Sequence, residues 1–134
     1  MMCSGSAAHH RKLYYNNCTF LNNYASNIAI ANYTDIIISN SRSLNCFKGI
    51  CTVIGSGGNL QLSNCYCNSN YDFMAFWYEP NSNSNSGYTV VNIDNCVFYG
   101  GFQGLTTTSG TLNISNTFMK TKYFVFVPHL YTIA

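Results

Sequence analysis

Five segments of the chain share one pattern, in which apolar and polar residues alternate until an asparagine is reached. The residues four and two positions before that asparagine are apolar, and the residue directly before it is polar in every segment. A period of two is typical of a β-strand with one buried face. The pattern therefore predicts five short strands, in LYYNNCTF (13–20), IIISNSRS (36–43), LQLSNCYC (60–67), VNIDNCVF (91–98) and LNISNTFM (112–119).

The alternation changes phase at each asparagine, which predicts a corner of the chain there. The residue after the asparagine is small, and the residue three positions after it is mostly apolar. If the corners stack at the strand spacing of about 4.8 Å, their amides can hydrogen-bond to one another, as buried amides must. We predict an internal asparagine ladder, with solvent-facing turn asparagines as the alternative. Its members are Asn17, Asn40, Asn64, Asn95 and Asn116.

These anchor asparagines are 23, 24, 31 and 21 residues apart, a spacing typical of a solenoid. The longest spacing contains a polar insertion, EPNSNSNSGY (79–88), which can form a loop outside the stack. A unit of about 22 residues has room for further short strands. The candidates for a second group of strands are 27–31, 49–54, 73–78, 101–106 and 123–127.

The repeat resembles that of the right-handed parallel β-helix of the pectin-lyase-like superfamily. In particular, Asn17-Cys18-Thr19-Phe20-Leu21-Asn22-Asn23 is similar to the N-C/S-T-F-x-x-N repeat of polymorphic outer-membrane and adhesin-type proteins. The resemblance implies an all-β fold, a right-handed parallel β-helix of about five coils with a period of about 22 residues. It is weak for function, because this fold carries lyases, hydrolases, adhesins, fibres and scaffolding proteins.

The length of 134 residues predicts one domain. Residues 1–12 are expected to form an irregular lead, and residues 13–134 a single β-helix domain that is self-contained or part of a longer stack. The ends of such a stack expose strand edges, so we expect contacts with other proteins, including end-to-end contacts through uncapped coils.

Composition favours an assembled protein. Six basic and four acidic residues stand beside 47% hydrophobic residues, 11 tyrosines and 9 phenylalanines. A net charge of +2 without a large basic cluster argues against nucleic-acid binding, and the longest apolar run, 123–128, is too short to span a membrane.

The compartment is left open between an intracellular, cytoskeletal assembly and the cell surface or extracellular space. The first thirteen residues lack the apolar core of a secretory signal, and the seven cysteines suit a reducing compartment as small core residues. Cys65 and Cys96 lie on adjacent coils and could bridge, although nothing in the repeat requires it. If the chain is secreted, Asn32 and Asn113 are candidate glycosylation sites.

The sequence favours no catalytic centre. The four carboxylates, Asp35, Asp72, Glu79 and Asp94, fall at four different positions of the repeat, whereas a two-carboxylate mechanism needs neighbours roughly 5–10 Å apart. The cysteine spacings do not match those of zinc modules. We therefore expect no catalytic residue, no cofactor and no metal site.

The most aromatic stretch, YDFMAFWY (71–78), precedes the insertion and is the candidate recognition face, with Tyr71, Trp77 and Tyr78 as contact residues. The interpretation that we favour is a non-catalytic module that docks into a filament, cytoskeletal or surface structure through protein contacts. A carbohydrate-binding or carbohydrate-cleaving β-helix protein and a cell-surface adhesin fragment are the alternatives.

Overall fold

The computed structural model describes residues 11–23, 29–30, 34–46, 52–53, 59–68, 74–77, 89–103, 110–120, 124–125 and 131–133. These residues form sixteen strands and no helix. The strands are β1 Arg11–Asn16, β2 Thr19–Leu21, β3 Ala29–Ile30, β4 Thr34–Ser39, β5 Arg42–Leu44, β6 Thr52–Val53, β7 Asn59–Ser63, β8 Tyr66–Asn68, β9 Met74–Trp77, β10 Thr89–Asp94, β11 Val97–Tyr99, β12 Gly101–Gln103, β13 Gly110–Ser115, β14 Phe118–Lys120, β15 Phe124–Val125 and β16 Tyr131–Ile133. The fold is all-β, as the alternation predicts.

Every third strand of the chain joins the same sheet. The six-stranded sheet has the order β1-β4-β7-β10-β13-β16, and the five-stranded sheet has the order β14-β11-β8-β5-β2. The third strands form a three-stranded sheet, β15-β12-β9, and a two-stranded sheet, β3-β6. All pairs are parallel, which requires a long connection between partners, and here that connection is the rest of one repeat.

We number the repeats by their three strands, so that repeat 1 contains β1–β3 and repeat 5 contains β13–β15. The register aligns equivalent positions, for example Ile38 with Leu62 and Leu62 with Ile93. This arrangement is compatible with a β-helix or another solenoid. Each of the five candidate segments for a second group of strands contains one observed strand, among β3, β6, β9, β12 and β15.

The core consists of the apolar positions that the alternation assigns to the buried face. Twelve apolar side chains of repeats 2 to 5 at these positions form one cluster with at most 5% exposure, namely Ile36, Ile38, Leu60, Leu62, Cys65, Cys67, Val91, Ile93, Cys96, Phe98, Leu112 and Ile114, and the half-buried Met119 packs against it. In repeat 1 the equivalent residues are only half-buried. The prediction of which face is buried is therefore confirmed. The side chains of repeat 1 on this face are less completely covered than the clustered side chains of repeats 2 to 5.

The first strand begins earlier than the expected start of the domain. β1 begins at Arg11, two residues before the expected start of the domain. The insertion 79–88 and residues 1–10 lie outside the described residues. Among the residues that the structure does describe, none belongs to a helix long and apolar enough to cross a membrane.

Candidate functional site

The anchor asparagines form the corner between the six-stranded and the five-stranded sheets. Each has a positive φ, a conformation that asparagine adopts more readily than most other residues except glycine. The values are 56° for Asn17, 50° for Asn40, 53° for Asn64, 51° for Asn95 and 49° for Asn116. The change of phase in the sequence is therefore a left-handed corner, and it recurs in all five repeats.

A second corner follows five residues later in repeats 1, 2 and 4. Asn22 and Asn45 have φ values of 50° and 54°, and Gly100 has 126°. Asn45 Nδ2 donates to Asn22 Oδ1 at 3.4 Å, so asparagines also stack at this corner. A glycine takes the same place because only the left-handed backbone is required there.

The asparagine ladder is real but lies outside the core. Asn64 Nδ2 donates to Asn40 Oδ1 at 3.1 Å, and Asn95 Nδ2 donates to Asn64 Oδ1 at 2.7 Å. All five anchors are exposed, so the prediction of an internal ladder is wrong in its placement. At each corner the inward position is instead taken by the small residue after the anchor, which is buried or half-buried in every repeat.

The residue before each anchor determines which side-chain oxygen accepts the amide of the next anchor in the stack. Asn40 Nδ2 donates to Asn16 Oδ1 at 2.9 Å, and Asn116 Nδ2 donates to Asp94 Oδ1 at 2.9 Å. Each of these two oxygens also accepts a serine hydroxyl from the next repeat, at 3.0 Å for Asn16 and 2.7 Å for Asp94. Where serine precedes the anchor, the anchor oxygen is the acceptor instead. Asn17 therefore takes no part in the ladder bond between repeats 1 and 2.

A second ladder lies on the inner side of the corner, at the small residue after each anchor. The backbone N–H of Cys18 donates to Ser41 Oγ at 3.0 Å, that of Cys65 to Cys96 Sγ at 3.4 Å, and that of Cys96 to Thr117 Oγ1 at 3.3 Å. The same side chains donate to the carbonyl two residues back, as Ser41 Oγ does at 2.7 Å. These positions therefore need a small side chain that both donates and accepts.

The cysteines at this position are predicted to be small core residues, and the structure shows that they also form hydrogen bonds. Cys65 Sγ donates to the Ser63 carbonyl at 3.3 Å, and Cys96 Sγ donates to the Asp94 carbonyl at 3.2 Å. The adjacent thiol of Cys96 lowers the pKa of Cys65 to about 7, and the adjacent thiol of Cys65, together with burial, raises the pKa of Cys96. The signal in the sequence is that cysteine, serine and threonine, but never alanine, occupy this position.

The outer face of the five-stranded sheet carries a row of aromatic rings. The centroids of Tyr66 and Tyr99 are 6.0 Å apart, and those of Tyr99 and Phe118 are 5.8 Å apart. Beside this row, Arg42 Nε donates to Thr19 Oγ1 of the preceding repeat at 3.1 Å. Tyr66, Tyr99 and Phe118 come from three different repeats, and only the register across repeats brings the three together.

Arg42 and Tyr66 line a groove of about 530 Å³ that runs along the corner. Its other wall is the anchor ladder, Asn17, Asn40 and Asn64. Arg42 is exposed, and it is the only charged residue among the described residues that line this groove. The groove is therefore polar, with amides along one side and a guanidinium held at the other.

The remaining candidate residues are distributed as follows. Asn113 is half-buried on β13, and its Nδ2 donates to Asn92 Oδ1 at 2.8 Å. Trp77 belongs to β9, but its side chain, like Tyr71, Tyr78 and Asn32, lies outside the described residues. The recognition face and the glycosylation sites stay predictions.

The two described carboxylates do not converge. Asp35 lies on β4 and Asp94 on β10, with β7 between them. The register places them about 13 Å apart along the strands and about 10 Å apart across the sheet. Asp35 Oδ1 accepts the backbone and side-chain amides of Asn59 at 3.1 and 3.0 Å. In the described part of the chain, no three His, Cys, Asp or Glu residues are placed to hold a metal ion.

The end of the stack at repeat 1 is a further candidate surface, in addition to the aromatic row and the groove. Leu13, Tyr15 and Phe20 are half-buried, whereas Leu60, Leu62 and Phe98 at equivalent positions have 0% exposure. β1 and β2 are the edge strands of the two larger sheets. A strand edge next to uncovered apolar side chains is the combination that pairs with another chain.

Comparison with known proteins adds no relative. No family model matches the sequence, and no curated protein or solved structure matches it. The resemblance to the pectin-lyase-like superfamily therefore rests on the repeat itself.

Proposed function

We propose that this chain is a non-catalytic structural module that docks into a larger assembly through protein contacts. In this proposal each repeat is one coil of a right-handed parallel β-helix, about five coils in all. The observation that carries the proposal is the half-buried core at repeat 1, where no other described strand pairs with the outer edges of β1 and β2.

Burial provides the energetic support. Covering the exposed parts of Leu13, Tyr15 and Phe20 would remove apolar area from water, at about 25 cal/mol for each Å². An added strand would also pair with the outer backbone groups of β1, as an extended segment does when it extends a sheet. A partner with a strand and an apolar inner face fits this end of the stack.

The separation of Asp35 and Asp94 supports the non-catalytic part of the proposal. Each is held by hydrogen bonds from the next repeat, Asp35 by Asn59 and Asp94 by Ser115 and Asn116. Both carboxylates accept hydrogen bonds that hold neighbouring repeats together. The distance between them also exceeds the separation that a two-carboxylate mechanism uses.

The first experiment measures the size of the native particle by gentle extraction, sizing and mass spectrometry. We expect a large particle with fixed companion chains. Leu13→Lys places a charge on the inward face of the edge strand and should release the chain as a monomer. Lys12→Glu, on the outward face of the same strand, is the matched control and should leave the particle intact. A wild-type chain that is extracted as a free monomer would contradict the proposal.

A further inference from the structure

Exposed apolar side chains are concentrated on the outer face of the five-stranded sheet. Among the described residues, four large hydrophobic side chains are strongly exposed, and three of them, Leu21 at 58%, Tyr66 at 39% and Phe118 at 54%, belong to this sheet. The fourth, Tyr14, lies on the six-stranded sheet. A contiguous exposed apolar area is a common feature of protein interaction sites.

The aromatic row makes this face preorganised. Tyr66, Tyr99 and Phe118 pack against one another with interplanar angles of 58° and 56°, so each ring restrains its neighbour. Tyr66 OH also accepts Asn68 Nδ2 at 3.3 Å. Aromatic rings that are already fixed lose little conformational entropy when they are covered.

The charged residues that the structure describes on this face, Arg42 and Lys120, are both basic. Arg42 is paired in register with Tyr66, and Lys120 is paired with Tyr99, so a cation lies beside each part of the row. The Arg42 guanidinium is held through Nε by Thr19, and it makes no other hydrogen bond within the described residues, so its Nη groups can bind a ligand. Asp35 and Asp94 lie on the six-stranded sheet, away from this face.

We propose that the outer face of the five-stranded sheet binds an acidic protein segment, with carboxylates at Arg42 and Lys120 and apolar side chains on the row of Tyr66, Tyr99 and Phe118. This inference rests on the proposed function, because it names the chemistry of one partner in the assembly. Leu21 and Val97 on the same face favour a peptide, since aliphatic side chains add apolar area that suits other apolar side chains rather than hydroxyl-bearing rings.

The test uses the whole chain and two labelled synthetic peptides with blocked termini. One peptide alternates aspartate with leucine, and the other has asparagine in place of each aspartate. Fluorescence anisotropy should show that the acidic peptide binds, that added salt weakens the complex, and that the asparagine peptide binds at least about tenfold more weakly, a loss of about 1.4 kcal/mol.

Variants on exposed positions locate the site without disturbing the core. Arg42→Gln and Phe118→Ser should each reduce affinity by about tenfold. Thr19→Val, which frees Arg42 Nε, should give a smaller loss. Lys12→Gln removes a cation from the six-stranded sheet and should leave affinity unchanged. Unchanged circular dichroism in each variant shows that the comparison concerns binding and not folding.

Equal binding of the two peptides would overturn the inference, and so would an equal loss in Lys12→Gln and Arg42→Gln. Arg42-dependent binding of a polyuronate by a chain that does not bind the peptide would overturn it as well. A chain that occurs as a native monomer would instead contradict the proposed function. Absence of peptide binding by a chain found in a large particle would contradict this inference alone.

Discussion

Repeats 1 and 4 place the same residue types at the same corner but in different surroundings. Both contain an anchor asparagine, a cysteine after it and a phenylalanine two residues later, in Asn17-Cys18-Thr19-Phe20 and Asn95-Cys96-Val97-Phe98. Repeat 4 has a neighbour on each side in both larger sheets, whereas repeat 1 has one. Differences between matched substitutions in the two repeats therefore measure the contribution of the second neighbour.

The largest contrast is expected at the phenylalanines. Phe98 has 0% exposure, so Phe98→Ala should lower the free energy of unfolding by about 3–5 kcal/mol. Phe20 is half-buried and contacts Tyr15 at a ring distance of 6.3 Å, so Phe20→Ala should cost about half as much. Urea denaturation of the isolated chain measures both. Equal losses would show that the end of repeat 1 is covered in solution.

The second ladder, at the small residue after each anchor, predicts the next difference in stability between repeats 1 and 4. Cys96→Ala removes the acceptor of the Cys65 N–H inside the core and should cost about 1–3 kcal/mol. Cys96→Ser keeps a donor and an acceptor and should recover part of that loss.

The equivalent change in repeat 1 supplies the control for this contrast. Cys18 is half-buried, and its thiol bonds only to the Asn16 carbonyl among the described groups, at 3.5 Å. Cys18→Ala should therefore cost less than about 1 kcal/mol. If Cys96→Ala and Cys96→Ser were equally destabilising, volume and not hydrogen bonding would explain the residue at this position.

Substitutions of the anchor asparagines separate the contribution of backbone conformation to stability from the contribution of the asparagine ladder. Asn95→Ala and Asn17→Ala place alanine at φ values of 51° and 56°, which costs about 1–2 kcal/mol in either repeat. Only Asn95 also loses a ladder bond, of 2.7 Å to Asn64, so its substitution should cost about 0.5 kcal/mol more. Glycine at either position removes the conformational cost and leaves the ladder difference. A difference that vanishes would mean that these exposed bonds contribute nothing to stability.

Much of this arrangement could be predicted from single-residue patterns, and the rest depends on neighbours in space. Alternation before each anchor predicts which side chains of β4, β7 and β10 are buried, because burial follows a period of two within one strand. The placement of the ladder outside the core could not be deduced in this way, since alternation within a strand does not determine which side chain points inward where the chain turns. The aromatic row joins Tyr66, Tyr99 and Phe118 from three repeats, and only the register between strands reveals it.

The smallest contrast concerns the residues before the anchors, Asp94 and Asn16. Both accept a serine hydroxyl and an asparagine amide from the next repeat, but only Asp94 is ionised. The bonds from Ser115 and Asn116 lower the pKa of Asp94 from its ordinary value of 3.8.

A carboxylate whose pKa is lower in the folded state stabilises the fold above the unfolded pKa, and this contribution is lost as the pH falls through the folded pKa. Lowering the pH should therefore weaken the contact between repeats 4 and 5, whereas Asp94→Asn, which recreates the Asn16 arrangement, should remove this pH dependence. Hydrogen exchange of the β13 amides between neutral and acidic pH measures the effect, and identical profiles for wild type and Asp94→Asn would show that the charge of Asp94 adds nothing to the ladder.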